Sequence, residues 1–202
     1  MKLVLARHAE SAWNAERRFQ GRTDVGLSDA GLAQAAALAR AVARRRVGAV
    51  YSSPLRRARE TAEIVAKERG LTVTLVDDLR ELSLGAWEGR TVDDVLATEA
   101  DAYRNWRERP YDCPPPEGEH IEEVARRVLP VMELIVSSHA DGQEALVVSH
   151  GGVISVYLCH LLGLSPNALW QLAIGNASLS VVDPPRVLTL NDTAHLEGLR
   201  PW

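Results

Sequence analysis

With 202 residues, 46% of them hydrophobic and 25% charged, the chain has the composition of an ordinary soluble globule able to bury a core. A formal net charge of −4 gives no field that would draw nucleic acid or an anionic membrane surface. The two cysteines, Cys113 and Cys159, lie far apart without a C-x-x-C pair, which argues against a disulfide framework or a zinc site and fits a reducing cytoplasm.

The N-terminus offers one lysine and a short apolar run before Arg7, too little for a signal peptide. No apolar stretch approaches the ~18–20 residues that span a bilayer. The expectation is a cytoplasmic protein of one domain over 1–202.

In chain order, "KLVLA" (Lys2–Ala6) reads as a short buried strand. "LSDAGLAQAAALARAVARRR" then predicts a helix capped by Ser28, with Leu32, Ala36, Ala39 and Ala43 on its apolar face, ended by Arg44–Arg46 and broken at Gly48. "AVYSS" (Ala49–Ser53) is a second strand. The next helix is expected to start with Ser53 as N-cap and Pro54 in its first position, and to end at Gly70. "LTVTLV" (Leu71–Val76) gives a third strand.

From Asp77 the pattern loosens into an irregular loop, then a helix over "TVDDVLATEADAYRNWRERP" and the Pro-rich connector "YDCPPPEGE". A long helix from about Glu119 to His139 contains Pro130, which should kink or restart it. "EALVVSH" (Glu144–His150) is a fourth strand, followed by a helix from Gly151; "ASLSVVD" and "RVLTLND" bracket Pro184–Pro185 as a hairpin. Strand–helix alternation predicts an α/β fold, a three-layer α/β/α sandwich with a largely parallel sheet, and a small helical cap inserted at about 82–118.

Parallel sheets bind ligands beyond the carboxyl ends of their strands. Arg7-His8 follows the first strand, Ser52-Ser53-Pro54-Leu55-Arg56-Arg57 the second, and Ser149-His150-Gly151-Gly152 the fourth. The third leads instead to acid, at Asp77, Asp78 and Glu81. Cations delivered to one rim from three strands repel one another unless an anion joins them, and guanidinium forks match phosphate oxygens. A helix opening at Pro54 would add free N–H groups, and Gly151-Gly152 would let backbone approach the anion. His120, His139, His160 and His195 have no such company.

"LARHAESAWN", "SSPLRRARETA", "LRELSLGAWEG" and "VVSHGGVI" together resemble the four signature blocks of the histidine phosphatase superfamily, the phosphoglycerate-mutase-like proteins, in that family's order over Leu3–Ile154. The resemblance implies that His8 is the nucleophile, that Arg7, Arg57 and His150 hold the phosphoryl oxygens, and that Glu81 is the proton donor. It further implies that Asn14, Gln20, Gly21 and Gly151 line the phosphate site, and that Glu88, the competing carboxylate, is structural. Ala9 departs from the commoner glycine, and His120 stands where the family has serine.

No metal or other cofactor is called for, because the cationic groups do the work a metal ion does elsewhere. The resemblance points to a phosphomonoester hydrolase acting on a small phosphorylated metabolite. The alternatives are a mutase, a non-catalytic phosphate-binding module, and a metallohydrolase, for which no ligand spacing is present. The mutases carry further cations over the site. Here Val92 falls where a lysine is expected, and "WRER" supplies Arg107 but Glu108 in place of a second arginine. Arg107 is thus a candidate substrate contact from the cap, and a homodimer is an open possibility.

Overall fold

The computed structural model describes residues 1–139 and 142–199. Among them, six strands make one sheet: β1 (Lys2–Arg7), β2 (Val47–Ser52), β3 (Val73–Leu75), β4 (Glu144–Ser149), β5 (Leu179–Asp183) and β6 (Arg186–Asp192), in the order β3-β2-β4-β1-β5-β6. The first four run parallel, β5 is antiparallel to β1, and β6 is antiparallel to β5. Helices α1 (Ala12–Ala15), α2 (Asp29–Ala43), α3 (Arg56–Arg69), α4 (Val92–Glu108), α5 (Ile121–Ser137) and α6 (Gly151–Leu162) intervene.

On β1, Leu3 and Leu5 join the core beneath α5 and α6, while Val4 and Ala6 join the core beneath α2 and α3. On β4, Ala145 and Val147 alternate in the same way with Leu146 and Val148. Two covered faces explain why both strands read as unbroken apolar runs. The result is a three-layer α/β/α sandwich. Its register sets Arg7 beside Ser149 and Ser52 beside Val148, so the loops after β1, β2 and β4 open at one rim.

Several sequence expectations need correction. The buried face of α2 carries Gln34, Ala35, Leu38, Ala39 and Val42, whereas Leu32 is 47% exposed. The helix turns a quarter away from the expected stripe because Gly31 packs on the Glu10 carbonyl, where a Cβ would stand 1.9 Å from the oxygen. Gly48 lies within β2 rather than ending α2, whose C-cap is Arg44. The helix expected to open at Pro54 starts at Arg56 with Leu55 as N-cap, and the Arg56 N–H is already met by Asp24 Oδ1 at 2.6 Å.

α5 runs through Pro130 as one helix. Pro130 is exposed, so the missing hydrogen bond falls on the solvent side, where water can replace it. Segment 92–108 is helical as expected but kinks at Glu99, whose carboxylate accepts from Trp87 Nε1 at 2.8 Å and from Arg90. The hairpin on Pro184–Pro185 is present. Both cysteines are free, and no described helix is long and apolar enough to cross a membrane.

Candidate active site

His8 leaves the end of β1 and is 2% exposed. Its carbonyl accepts from Asn176 Nδ2 at 3.2 Å and from the Ala177 N–H at 3.1 Å. The next residue, Ala9, donates its N–H to Thr61 Oγ1 at 3.1 Å. His8 Nδ1 lies 2.7 Å from the Ala9 carbonyl. A carbonyl can only accept, so Nδ1 carries the proton and Nε2 keeps the lone pair. Burial first, then the charges of Arg57 and Arg7, hold the His8 pKa well below 6.5. The ring is therefore neutral at physiological pH, with a lone pair free on Nε2.

Arg57, in the first turn of α3, is 1% exposed and donates to the carbonyls of Gly21 at 2.7 Å and Thr23 at 2.9 Å, while its Nε finds no partner. Arg7 donates to the Ile174 carbonyl at 2.6 Å, and its Nε is likewise buried and unpartnered. His150 is fully buried, with Nε2 2.8 Å from Ser53 Oγ and Nδ1 unpartnered; its ring centroid is 5.1 Å from that of His8. Ser53 thus orients His150 instead of capping a helix. Burial, then Arg57 and His8, hold His150 well below 6.5 as well. Buried donors without acceptors are costly, and the two guanidinium groups here, Arg7 and Arg57, line the same pocket as His8, where an anion can meet their charge.

Glu81 faces this cationic group. Its Oε1 accepts from the Leu82 N–H at 3.0 Å and its Oε2 from the Gly152 N–H at 3.2 Å, in the first turn of α6. Glycine at 152 lets both side chains approach, since a Cβ there would stand 2.1 Å from Leu82 Cδ2 and 2.7 Å from Glu81 Oε1 and would force them to shift. Arg7, His8, Gln20, Gly21, Arg57 and Glu81 all line one pocket of about 140 Å³, which is completed by Arg18, Phe19, Leu82, Leu84, Trp106 and Trp170.

The model of the histidine phosphatase superfamily (branch 1) matches residues 3–189. The chain belongs to the histidine phosphatase superfamily. This histidine phosphatase is 36% identical over 200 residues to phosphoserine phosphatase 1 of Hydrogenobacter thermophilus, covering 97% of this chain and 94% of that one. It is 34% identical over 210 residues to a Yersinia pestis protein named "Probable phosphoglycerate mutase GpmB", with 98% and 95% covered. Among solved structures, a mycobacterial glucosyl-3-phosphoglycerate phosphatase superposes with a TM-score of 0.86 at 32% identity, covering 95% of this chain and 99% of that one. The enzyme is a phosphoric monoester hydrolase of this superfamily.

The remaining expected residues divide. Gln20 lines the pocket with its Oε1 engaged by Ser11 Oγ at 2.6 Å, which leaves its amide N–H groups as donors. Asn14 caps α1 against Ser11 and lines the adjoining cleft, which shares Arg7 with the pocket. Gly151 lies beside Arg7, where an added Cβ would be 3.7 Å from Nε. Arg107 does not line the pocket. It is exposed and lies over two rings of the pocket wall, 5.5 Å from the Trp170 centroid and 6.0 Å from that of Trp106.

Trp87 and Trp106 belong to the core, and Glu99 and Trp170 hold them there. Glu88 accepts from the N–H groups of Arg22 at 3.1 Å and Leu84 at 3.0 Å, and from the hydroxyls of Thr23 at 3.0 Å and Ser83 at 3.1 Å. It ties the 20–23 loop to the 83–84 loop. Gly21, at φ 51°, leaves room for that carboxylate; a Cβ would stand 2.1 Å from Glu88 Oε1. Glu88→Ala is expected to cost about 2–3 kcal/mol, roughly 5–10 °C in Tm. A melting curve indistinguishable from wild type would overturn this structural role.

Sequence reasoning passed over Arg18, Trp170 and Asn176. Arg18 stands two residues before Gln20 and was open to discovery on that ground. Trp170 and Asn176 sit in no motif and reach the site only through packing.

Proposed function

We propose that this histidine phosphatase hydrolyses a small organic phosphomonoester through a phosphohistidine formed on His8. The observation that carries the reading is the single free lone pair of His8, on Nε2, in a pocket that also holds Arg7, Arg57 and Glu81. Nε2 attacks phosphorus, and the P–O bond to the leaving group breaks with its electron pair on oxygen. Protonated Glu81 gives that oxygen its proton. The resulting carboxylate then takes a proton from water, whose oxygen attacks phosphorus while the P–N pair returns to Nε2.

Arg7, Arg57 and His150 stabilise charge on the equatorial oxygens of the transferring group, with Asn14, Gln20, Gly21 and Gly151 around it. No metal ion enters these steps. The organic part lies against Phe19, Leu82, Leu84, Trp106 and Trp170, with Arg18 as the nearest further cation. Phosphoserine and glucosyl-3-phosphoglycerate, named for two relatives, are the first substrates to try. The chain works as one cytoplasmic domain with 82–118 as its cap, and a homodimer is compatible with this reading.

A mutase is the weaker reading. The cations lining the pocket are Arg7, Arg18 and Arg57, while Val92 opens α4 and Arg107 is not among the lining residues. Phosphate release from a panel of monoesters in the presence of EDTA tests the proposal. Release on any member is expected. Silence across the panel, together with isomerisation primed by bisphosphoglycerate, would make the protein a mutase, and loss of release on chelation would make it a metallohydrolase.

The histidine environment sets a pH dependence. Because the folded His8 pKa lies below 6.5, the acid limb of kcat/KM that reports it should also fall below pH 6.5. Arg57→Gln removes a charge that lowers it and should move that limb upward. A limb at 6.5 or above in the wild type would refute the neutral, buried nucleophile.

A further inference from the structure

Arg127, in the second turn of α5, touches neither His8 nor the pocket, yet every N–H of its guanidinium is engaged. Nε and Nη2 grip Glu119 as a fork, at 2.9 Å to Oε1 and 3.0 Å to Oε2. Nη1 donates to the carbonyls of Asp78 and Arg80, each at 2.6 Å, and Nη2 reaches the Glu81 carbonyl at 3.4 Å. The pair is largely enclosed, with the Arg127 side chain 15% and the Glu119 side chain 10% exposed.

Glu119 extends the grip. Its Oε2 accepts from the Ser83 N–H at 3.3 Å, on the far side of Glu81, and its Oε1 accepts from Arg22 Nη2 at 3.0 Å. The backbone is therefore clamped at 78, 80, 81 and 83, around Glu81, the one acidic residue among the described residues that line the pocket with His8. No regular secondary structure holds this segment: a turn of 3-10 helix ends at Leu79, and the next begins at Gly85.

We propose that Arg127, with Glu119, is the positioning residue for the general acid, fixing the 78–83 backbone so that the Glu81 carboxyl stands over the leaving oxygen. The proposal rests on the reading of Glu81 as proton donor. A planar fork with five donors does this work. Lysine, a point charge with three donors on a flexible stem, cannot reproduce it.

The test reads leaving-group dependence, which a general loss of folded enzyme would not alter. Arg127→Lys, Glu119→Gln and Glu81→Gln are compared on p-nitrophenyl phosphate, whose leaving group needs little protonation, and on glycerol phosphate, whose alkoxide needs it. For Arg127→Lys, kcat on glycerol phosphate is expected to fall about 30-fold or more, while p-nitrophenyl phosphate stays within about 3-fold and KM changes little. Glu119→Gln should show the same selectivity in milder form, and it serves where Arg127→Lys folds poorly.

Adding Arg127→Lys to Glu81→Gln should cost nothing further, as expected for groups acting through one step. Equal losses on both esters, or additive losses in the double variant, would overturn the positioning role while leaving Glu81 as the acid. If Glu81→Gln itself shows no selectivity, the reading of Glu81 fails, and the inference resting on it fails with it.

Discussion

His8→Ala abolishes phosphate release, by about 10⁴-fold or more, with the fold retained. Arg7, Arg57 and His150 remain to bind the phosphoryl group, so inorganic phosphate should still compete for the site. The neighbouring groups are held in other contacts: His150 Nε2 is engaged with Ser53, and Glu81 is held by the N–H groups of Leu82 and Gly152. The His8 backbone is gripped by Asn176 and Ala177, contacts that do not use its ring, so circular dichroism should match the wild type. Retention of even a tenth of the activity would remove His8 from the mechanism. Acid-labile label on the wild-type chain after a quench from labelled substrate, absent from the variant, would place the phosphoryl group on this imidazole.

The removal of that imidazole also bears on stability. The folded pKa values of His8 and His150 are depressed, so the unfolded chain takes up protons first as the pH falls. Their contribution to stability is fully present above 6.5 and is lost as the pH drops below it through the folded values. His8→Ala should therefore flatten the fall in denaturation midpoint below pH 6.5, and an unchanged slope would contradict burial of the neutral ring.

Glu81→Gln slows alkyl phosphates by about 10²–10⁴-fold and p-nitrophenyl phosphate by no more than about 10-fold. Glutamine keeps the shape, and its one amide oxygen can accept from either the Leu82 or the Gly152 N–H, but it has no acidic proton to give to the leaving oxygen. The geometry opposes the rival, Glu88, because all four of its hydrogen bonds tie loops together rather than face His8. Equal losses on both esters would mean that another group is the acid, and Glu88→Gln would then be the next variant to measure.

Much of this was legible in the residues. The runs before Arg7 and His150 are buried on both sheet faces, so their composition alone marks them as central parallel strands, and in such a sheet their carboxyl ends and that of the strand before Ser53 must share a rim. Arg7, His8, Arg57 and His150 follow from that topology. Glu81 was found through its motif, since an irregular loop has no period to read.

Periodicity failed at α2, where small residues on every side leave no single stripe, and contact of Gly31 with the Glu10 carbonyl decided the buried face. The start of α3 failed for a similar reason. Asp24, about 30 residues earlier, supplies the cap that the local signal assigned to Ser53.

What the sequence determined by itself is the class of fold and the chemistry at the strand ends, because both follow from alternation along the chain and from residue type. Tertiary structure alone decided which groups serve those ends. Ser53 turns to His150, Asn176 and Ala177 to the His8 carbonyl, Trp170 to the pocket wall, and Arg127 to the backbone around Glu81. These contacts join residues 46 to 169 positions apart, through side chains whose directions are set by packing. No local pattern encodes such pairs, since each partner taken alone is an ordinary polar or aromatic residue.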